Sequence, residues 1–334
     1  GSQAALEGLL KKLHDNGIRG VADIVINHRP SFNGVADWGG WAITLGDRFS
    51  DGTGEHGPSH HDGKFDAAPD IDHRNQKVQQ SIGIWLRWLR LQVGFDAWRF
   101  DSVEGYSPEL VGLYCKKSEP AWAVGELWTD MVYDDQGLSY DQDKHRQGLC
   151  DWINGTDKTS TAFDFTTKGV LQEACKSCQY WRLRDSNGKP PGLIGWMPKH
   201  AVTFVDNHDT GSTQRHWPYP DDKVLVGYAY IITHPGIPCL FWDHVMDWGE
   251  DHRRKIVDLL KARQEAGIPS DAPVNILFAE HDLYLAEVGM PPKLRVALGP
   301  RGAADPDWSY WSECASGRDY RVWVQRPPVE VKSP

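Results

Sequence analysis

The chain has 334 residues, a length that fits one large α/β domain with an appendage, and its formal net charge is −10. Its Lys and Arg residues are scattered rather than gathered in a basic stripe, which excludes the usual pattern of nucleic-acid binding and of docking on anionic membranes. No apolar run approaches the ~18 residues of a membrane span. We therefore expect a partner that is neutral or cationic, with no nucleic acid and no membrane.

The first predicted element is an amphipathic helix that starts near residue 1. Apolar side chains recur at helical spacing up to Leu13, and Asn16-Gly17 is a typical helix end. Because residues 1–19 begin as an amphipathic helix, we expect no signal peptide within them.

Six apolar runs downstream predict the strands of a parallel sheet. Helical segments alternate with them, the clearest at about 72–91, 223–233 and 250–266, and such alternation is typical of α/β proteins. The predicted strands are residues 21–27, 95–101, 122–126, 162–165, 202–206 and 239–242.

Six parallel strands fit two folds: an open doubly wound sheet, or a (β/α)8 TIM-type barrel that lacks its first two strand units. No glycine-rich phosphate loop follows any strand, which argues against a nucleotide-binding doubly wound fold. After Gly267 the pattern changes to short alternating segments without helical periodicity. We predict an N-terminally incomplete barrel at 1–267, with a loop subdomain at about 29–69, and a small C-terminal antiparallel β domain at 268–334.

Polar side chains end several of the predicted strands. In a barrel the C-terminal ends of all strands face one mouth, so these groups would converge. For any single acid the alternative is a helix cap or a pairing with a nearby arginine. The residues are Asn27 and His28 on the first strand, Arg99 and Asp101 on the second, Glu126 on the third, and Asn207, His208 and Asp209 on the fifth.

Three of these acids fit the two-carboxylate chemistry of a retaining glycosidase. Arg99 precedes Asp101 by two residues on the same face of the strand, and such a cation favours the ionised form that a nucleophile needs. Glu126 follows an apolar stretch, which favours the protonated form that a general acid needs. Asp209, beside His208, is suited to stabilising a positively charged transition state.

Sixteen Trp residues supply flat faces that stack on sugars or pack in a core.

Four short segments resemble, in order and spacing, the motifs of the α-amylase family of retaining glycoside hydrolases: ADIVINH, GFDAWRFD, AVGELW and FVDNHD. Connecting stretches such as APDIDHRN, DFTTKGVL and GYAYIITHPGIPC are similar to plant-type α-amylases, so the resemblance covers nearly the whole chain. It implies Asp101 as nucleophile, Glu126 as acid/base and Asp209 as transition-state stabiliser. The implied activity is endo-hydrolysis of α-1,4-glucans, with starch, glycogen or maltooligosaccharides as substrates, and we expect a monomer.

The resemblance also implies which residues contact the substrate. His28, Arg99 and His208 would surround the reacting sugar, and Trp128 would stack beyond the scissile bond. Two further groups, Gln214 and Trp217, would line the same groove. For Trp128, Gln214 and Trp217 the alternative is ordinary packing or loop polarity.

A structural Ca²⁺ ion is implied as well. Asn27, Asp70 and the carbonyl of Gly105 match its ligand positions, and all are oxygen donors, as a hard cation prefers. A further carboxylate usual in this loop is matched by Asp62 only after a register shift. The pair His60-His61 is interpreted as surface histidines rather than a zinc site.

Cys175 and Cys178 are interpreted as packed thiols rather than a zinc or redox pair, since no second ligand pair lies nearby.

The sequence departs from the family pattern in three places. Glu104 stands where the family has a basic residue, and the excursion at 29–69 is shorter than in plant-type enzymes. The chain begins in the helix before the third barrel strand, so we expect it to be part of a longer protein. Two rival functions remain: glycosyl transfer by the same machinery, and glucan binding without catalysis.

Overall fold

The computed structural model describes residues 1–29, 31–32, 35–36, 40–47, 68–135, 137–303 and 306–326. It divides into two compact units: unit 1 is Gly1–Thr129 with Leu149–Phe163, and unit 2 is Asp130–Gly148 with Asp164–Pro334. The sequence-predicted boundary at 267 does not coincide with this division and stays a prediction. Most of the predicted loop subdomain, with His60, His61 and Asp62, lies outside the described residues.

The first part of the chain alternates helices with short strands. Ser2 accepts a hydrogen bond from the Ala5 amide at the start of the first helix, and Gly17, at φ 71°, takes the left-handed conformation just after its end. The elements are α1 (Gln3–Asp15), β1 (Val21–Ile24), β2 (Ser31–Phe32), β3 (Val35–Ala36), α2 (Gln76–Trp88) with a π-helical continuation (Leu89–Val93), β4 (Ala97–Phe100), α3 (Pro108–Ser118), β5 (Trp122–Gly125), β6 (Tyr133–Asp134), β7 (Gly137–Leu138), α4 (Asp143–Gly155) and β8 (Thr161–Phe163).

The second part begins with helices and ends in strands. Its elements are α5 (Phe165–Lys176), β9 (Ala201–Phe204), α6 (Val224–Thr233), β10 (Ile237–Cys239), α7 (Trp242–Met246), α8 (Glu250–Ala266), β11 (Val274–Ala279), β12 (Tyr284–Val288), β13 (Leu294–Leu298), β14 (Trp311–Gly317) and β15 (Tyr320–Gln325). None of the described helices is both long enough and apolar enough to span a membrane.

In unit 1, four parallel strands pair in the order β1, β4, β5, β8. Strand β4 is buried along its whole length, with Trp98 and Phe100 fully enclosed, whereas β1 alternates exposed and buried residues. The register sets Asp23 of β1 opposite Arg99 of β4. The polar residues that follow β4 and β5 therefore emerge at the same edge of the sheet.

In unit 2, β9 and β10 pair in parallel, and five antiparallel strands form a separate sheet in the order β11, β12, β13, β15, β14. Helix α6 is buried on nearly all sides. Arg263 of α8 donates to the carbonyls of Ile232, His234 and Gly236, and so satisfies the end of α6 and the start of β10. The predicted six parallel strands and the C-terminal antiparallel sheet are confirmed, four of the six strands lying in unit 1 and two in unit 2.

Two local expectations are wrong. The sixth strand is Ile237–Cys239 rather than 239–242, because Trp242 begins helix α7. The predicted helix at 72–91 starts only at Gln76, where Asn75 accepts a hydrogen bond from the Lys77 amide as its N-cap.

All six cysteines are free thiols. Cys175 on α5 is buried and accepts a hydrogen bond from the Tyr219 hydroxyl at 3.1 Å, and burial raises the pKa of its thiol to about 11. Cys178 lies beyond the end of the helix in a left-handed backbone conformation. Among the described residues no group of three His, Cys, Asp or Glu side chains is arranged to hold a metal.

Candidate active site

Arg99 is the centre of the polar cluster in unit 1. Its Nη1 donates to Oδ1 of Asp101 at 2.6 Å and to Oδ1 of Asp23 at 2.7 Å, while Nη2 lies 2.6 Å from Oε1 of Glu126. Burial lowers the pKa of Arg99, but the attraction of Glu126, Asp23 and Asp101 outweighs burial and raises the pKa above its ordinary value. The guanidinium therefore stays charged and holds the predicted nucleophile and the predicted acid/base at one place.

The surroundings of Glu126 differ from the sequence expectation. The side chain is buried, as predicted, but it is not in a purely apolar setting, because the Arg99 guanidinium contacts it directly. A cation at that distance stabilises the ionised carboxylate, whereas burial favours the protonated acid. The local sequence around Glu126 does not reveal this contact, because Arg99 lies on the neighbouring strand β4.

Directly after Asp101 the chain makes a tight, strained turn. Ser102 has φ 48° and ψ 52°, a left-handed conformation that costs a non-glycine residue about 1 kcal/mol. The turn leads into a short 3-10 helix, from which the Glu104 carboxylate accepts a hydrogen bond from the Trp128 amide. Burial, followed by repulsion from Asp101, raises the pKa of Glu104. The segments that follow β4 and β5 are thus tied together beside Asp101 and Glu126.

In unit 1, Asn27 lies beside the other two residues that are predicted to bind calcium, Asp70 and Gly105. A β-bridge pairs His28 with Asp70, and the Asn27 carbonyl accepts from the Ile71 amide at 3.0 Å. A Cβ atom at Gly105 would lie 1.5 Å from Oδ1 of Asn27, so glycine is required for this close approach.

The donor set around Asp70 fits a hard cation. Oδ1 of Asp70 is buried and has no hydrogen-bond partner among the described residues. Burial, with added repulsion from Asp47, raises the pKa of Asp70 to about 6. A divalent cation would satisfy the unpartnered oxygen and offset the repulsion between the two carboxylates.

His28 also belongs to unit 1. Burial lowers the pKa of its imidazole, against the attraction of Asp101, so the ring is predominantly neutral at neutral pH. A neutral imidazole can both donate and accept hydrogen bonds, which suits contact with sugar hydroxyls.

The remaining predicted site residues lie in unit 2. Nε2 of His208 is 3.3 Å from Oδ2 of Asp209. The side-chain amide of Gln214 donates a hydrogen bond to Oδ1 of Asp209. Nε2 of His216 lies 2.9 Å from Oε1 of Gln214. Gln214 therefore contacts Asp209 directly, and Trp217 packs its ring against Lys168 and the backbone at Gly169.

Two residues of these clusters were missed by the sequence analysis. Asp23 is a carboxylate inside the apolar run VADIVIN, and Lys168 is a lysine inside the buried segment DFTTKGVL. A lysine in a buried segment is a signal, because it is rarely buried without a partner, whereas Asp23 is half exposed and gives only a weak signal. The partners themselves, Arg99 and Asp206, depend on strand register and tertiary packing.

Comparisons with known proteins agree with this fold. Residues 265–324 match the family model of the "Alpha-amylase C-terminal beta-sheet domain". The chain is 45% identical over 340 residues to "Probable alpha-amylase 2" of Arabidopsis thaliana, covering 97% of this chain and 79% of that protein. It is 50% identical over 146 residues to the "Alpha-amylase type B isozyme" of Hordeum vulgare, covering 43% of this chain and 92% of that sequence.

The fold is also similar to that of solved α-amylases. The crystal structure of an Anoxybacillus α-amylase aligns with a TM-score of 0.69 at 15% identity, covering 99% of this chain and 81% of that one. This likeness settles the choice between the two folds in favour of the α-amylase architecture. The chain belongs to the α-amylase family of glycoside hydrolases and is close to its plant members.

Proposed function

We propose that this protein hydrolyses internal α-1,4-glucosidic bonds of starch or glycogen with retention of anomeric configuration. The observation that carries the proposal is the buried Arg99 guanidinium, which contacts Asp101 and Glu126 at 2.6 Å each in a chain of the α-amylase family. One planar group spanning both carboxylates is compatible with the spacing of about 5 Å that retention requires.

In the first step, the Asp101 carboxylate attacks the anomeric carbon, and protonated Glu126 donates its proton to the glycosidic oxygen, which leaves as a free glucan hydroxyl. The product is a glycosyl ester on Asp101. In the second step, the Glu126 carboxylate takes a proton from water, the resulting hydroxide attacks the anomeric carbon, and the ester bond to Asp101 breaks. Both residues are then in their starting states.

Arg99 acts by positioning the two carboxylates. It stabilises the charge of Asp101 before attack, and it fixes Glu126 through the second nitrogen of the guanidinium. When the ester forms, Asp101 loses its charge, and Arg99 then favours the ionised Glu126 that the second step needs as a base. Asp209 is assigned the stabilising role on the strength of its motif FVDNHD, with Gln214 and His208 fixing its carboxylate.

We assign the remaining predicted residues to substrate binding. His28 and Arg99 lie beside Asp101 in unit 1, and His208, Gln214 and Trp217 lie on the Asp209 segment in unit 2. Trp128 follows Glu126 by two residues, and its backbone is held by Glu104. These contacts support sugar binding, because hydroxyl groups and ring faces match polar side chains and aromatic rings.

The proposal is tested by digesting maltooligosaccharides and soluble starch and following the products by NMR. Shorter glucans that appear first as the α-anomer, with a rapid fall in starch chain length, support endo-hydrolysis with retention. Products longer than the substrate would favour glycosyl transfer, and binding without any cleavage would favour a glucan-binding protein.

We propose further that Asn27, Asp70 and the Gly105 carbonyl hold a structural Ca²⁺ ion. When bound, the ion would join the segments after β1 and β4 by coordinating oxygen atoms from both. The unpartnered Oδ1 of Asp70 and the close approach of Asn27 to Gly105 support this assignment.

Calcium removal is expected to lower the melting temperature. A ligand at 100 times its Kd stabilises the folded state by about 2.7 kcal/mol, which corresponds to a shift of roughly 5 °C in a chain of this size. Thermal unfolding with and without a chelator measures the shift, and Asp70→Ala should remove most of it. The matched control is Asp157→Ala at an exposed carboxylate paired with Lys116, which should keep the full chelator response. A wild-type melting curve that ignores the chelator would contradict the calcium assignment.

A further inference from the structure

The segment from Asp206 to Tyr219 carries all the sequence-predicted site residues of unit 2, and both of its ends meet at one carboxylate. Oδ1 of Asp206 accepts from the Thr210 hydroxyl at 2.9 Å, near the start of the segment. Oδ2 of Asp206 accepts from the Tyr219 amide at 3.1 Å, at its end. Asp206 therefore closes the segment into a loop.

Lys168 of helix α5 binds both ends of this loop. Its side chain is fully buried, and Nζ donates to Oδ1 of Asp206 at 3.4 Å, to the Trp217 carbonyl at 2.9 Å and to Oε1 of Gln172. An ammonium group has three N–H donors, and these three acceptors use all of them. Lys168 thus connects the start of the loop, its end and its own helix.

Two neighbours on α5 strengthen the attachment. Nε2 of Gln172, one turn after Lys168, donates to the Pro218 carbonyl at 3.1 Å. The Trp217 ring lies under Nζ of Lys168 at 4.6 Å, and a Cβ atom at Gly169 would lie 2.9 Å from that ring. The end of the loop is therefore packed as well as hydrogen-bonded on α5.

Three further hydrogen bonds connect this network to Asp209. The Thr210 hydroxyl, which donates to Asp206, accepts from the Asn207 amide at 3.0 Å. Oδ1 of Asn207 accepts from the Asp209 amide at 3.0 Å and from the Thr210 amide at 2.8 Å. A displacement of Asp206 would therefore be passed to the backbone of Asp209.

We infer that Lys168 is a positioning residue, which sets the Asp209 carboxylate by closing the loop 206–219 onto α5; this inference rests on the proposed function. The role is distinct from catalysis, because Lys168 is enclosed and acts only through Asp206 and Trp217. The positioning role predicts a selective effect on binding. The loss of Lys168 weakens the binding of a positively charged transition state more than the binding of a neutral glucan.

Stability alone does not account for a lysine at this position. Burial lowers the pKa of Lys168 to about 8, against the attraction of Asp206, and the ionisable groups around it are Asp206, Tyr219 and His244. Buried ion pairs often stabilise a fold no more than apolar side chains of the same volume. A positioning role explains why the costly ammonium lies between the two ends of the loop.

The test compares Lys168→Met with Lys223→Met, which removes an ion pair to Asp319 elsewhere in unit 2. Two affinities are measured for each protein: that of a neutral maltooligosaccharide and that of a cationic analogue of the transition state. We expect Lys168→Met to weaken the analogue about 100-fold relative to the oligosaccharide, as for a catalytic group misplaced by about 1 Å. Lys223→Met should leave this ratio unchanged. If this variant partly unfolds the protein, both affinities fall by the same factor and the ratio stays the same.

A second measurement is independent of activity. Hydrogen exchange of the backbone amides of residues 207–219 should accelerate in Lys168→Met and not in Lys223→Met. Gln172→Met, which keeps the ion pair but removes one acceptor and one donor, should change both readouts in the same direction by a smaller factor. It serves as the decisive variant if Lys168→Met does not fold.

The outcomes separate the two proposals. A wild-type protein that neither cleaves nor binds glucans contradicts the proposed function. In that case the hydrogen-exchange measurement alone tests whether Lys168 closes the loop 206–219. An active wild type whose affinity ratio and exchange are unchanged in Lys168→Met, or in Gln172→Met if the first does not fold, contradicts the positioning role.

Discussion

Replacing Asp101 by Asn is expected to lower kcat on starch by about 10⁴-fold or more, because the amide keeps the shape of the carboxylate but cannot form the glycosyl ester. Binding of a neutral maltooligosaccharide should survive, since the nucleophile acts mainly on the transition state. Turnover is measured by the release of reducing ends, and binding by calorimetry.

The control for this variant is Asp96→Asn, the same chemical change just before the other end of strand β4. Asp96 contacts His14 and the Gly20 amide rather than Arg99, so its loss should affect stability and leave kcat nearly unchanged. If Asp101→Asn kept ordinary turnover while Asp96→Asn behaved as wild type, Asp101 would not be the nucleophile.

Replacing Glu126 by Gln should give a substrate-dependent defect. On starch the leaving group needs a proton, so kcat should fall by about 10²- to 10⁴-fold. On a maltooligosaccharide with an activated aryl leaving group, little protonation is needed, and the first step should be nearly retained. Stopped-flow release of the aryl group measures this step directly, and a burst followed by slow turnover is expected, because the variant also lacks the base for the second step.

The matched control is Glu119→Gln, at an exposed glutamate that contacts Arg90. It should behave as wild type on both substrates. Equal losses on starch and on the activated substrate in Glu126→Gln would argue against the acid role, and would instead indicate that the ion pair with Arg99 has only a structural effect on the site.

Elements with strong local signals were predictable from the sequence. Helix α8 was predicted with its observed ends, because the apolar positions of residues 250–266 recur at helical spacing and Gly267 follows in the left-handed conformation. The sixth strand was misplaced, because the aromatic run after Cys239 looks apolar, although Phe241 precedes a helix. A register irregularity between Glu313 and Ala315 interrupts the alternation of strand β14 and weakens its signal in the sequence.

The candidate site was predictable where it follows from strand ends and not where it depends on register. Asp101 and Glu126 follow neighbouring parallel strands, so their proximity follows from topology alone. The contact of Asp23 with Arg99 requires the register between β1 and β4, and the closure of the Asp209 loop requires the packing of Lys168 on α5. Neither is encoded in local spacing.

The buried free thiols can be used to measure how fast each unit unfolds. Cys115 lies on α3 in unit 1 and Cys175 on α5 in unit 2, and burial raises their pKa values to about 12 and about 11. Only a thiolate exposed to solvent is alkylated readily. Pulsed alkylation followed by peptide mass spectrometry would therefore give one labelling rate per unit, and would show whether the two halves of the chain unfold in a single cooperative event.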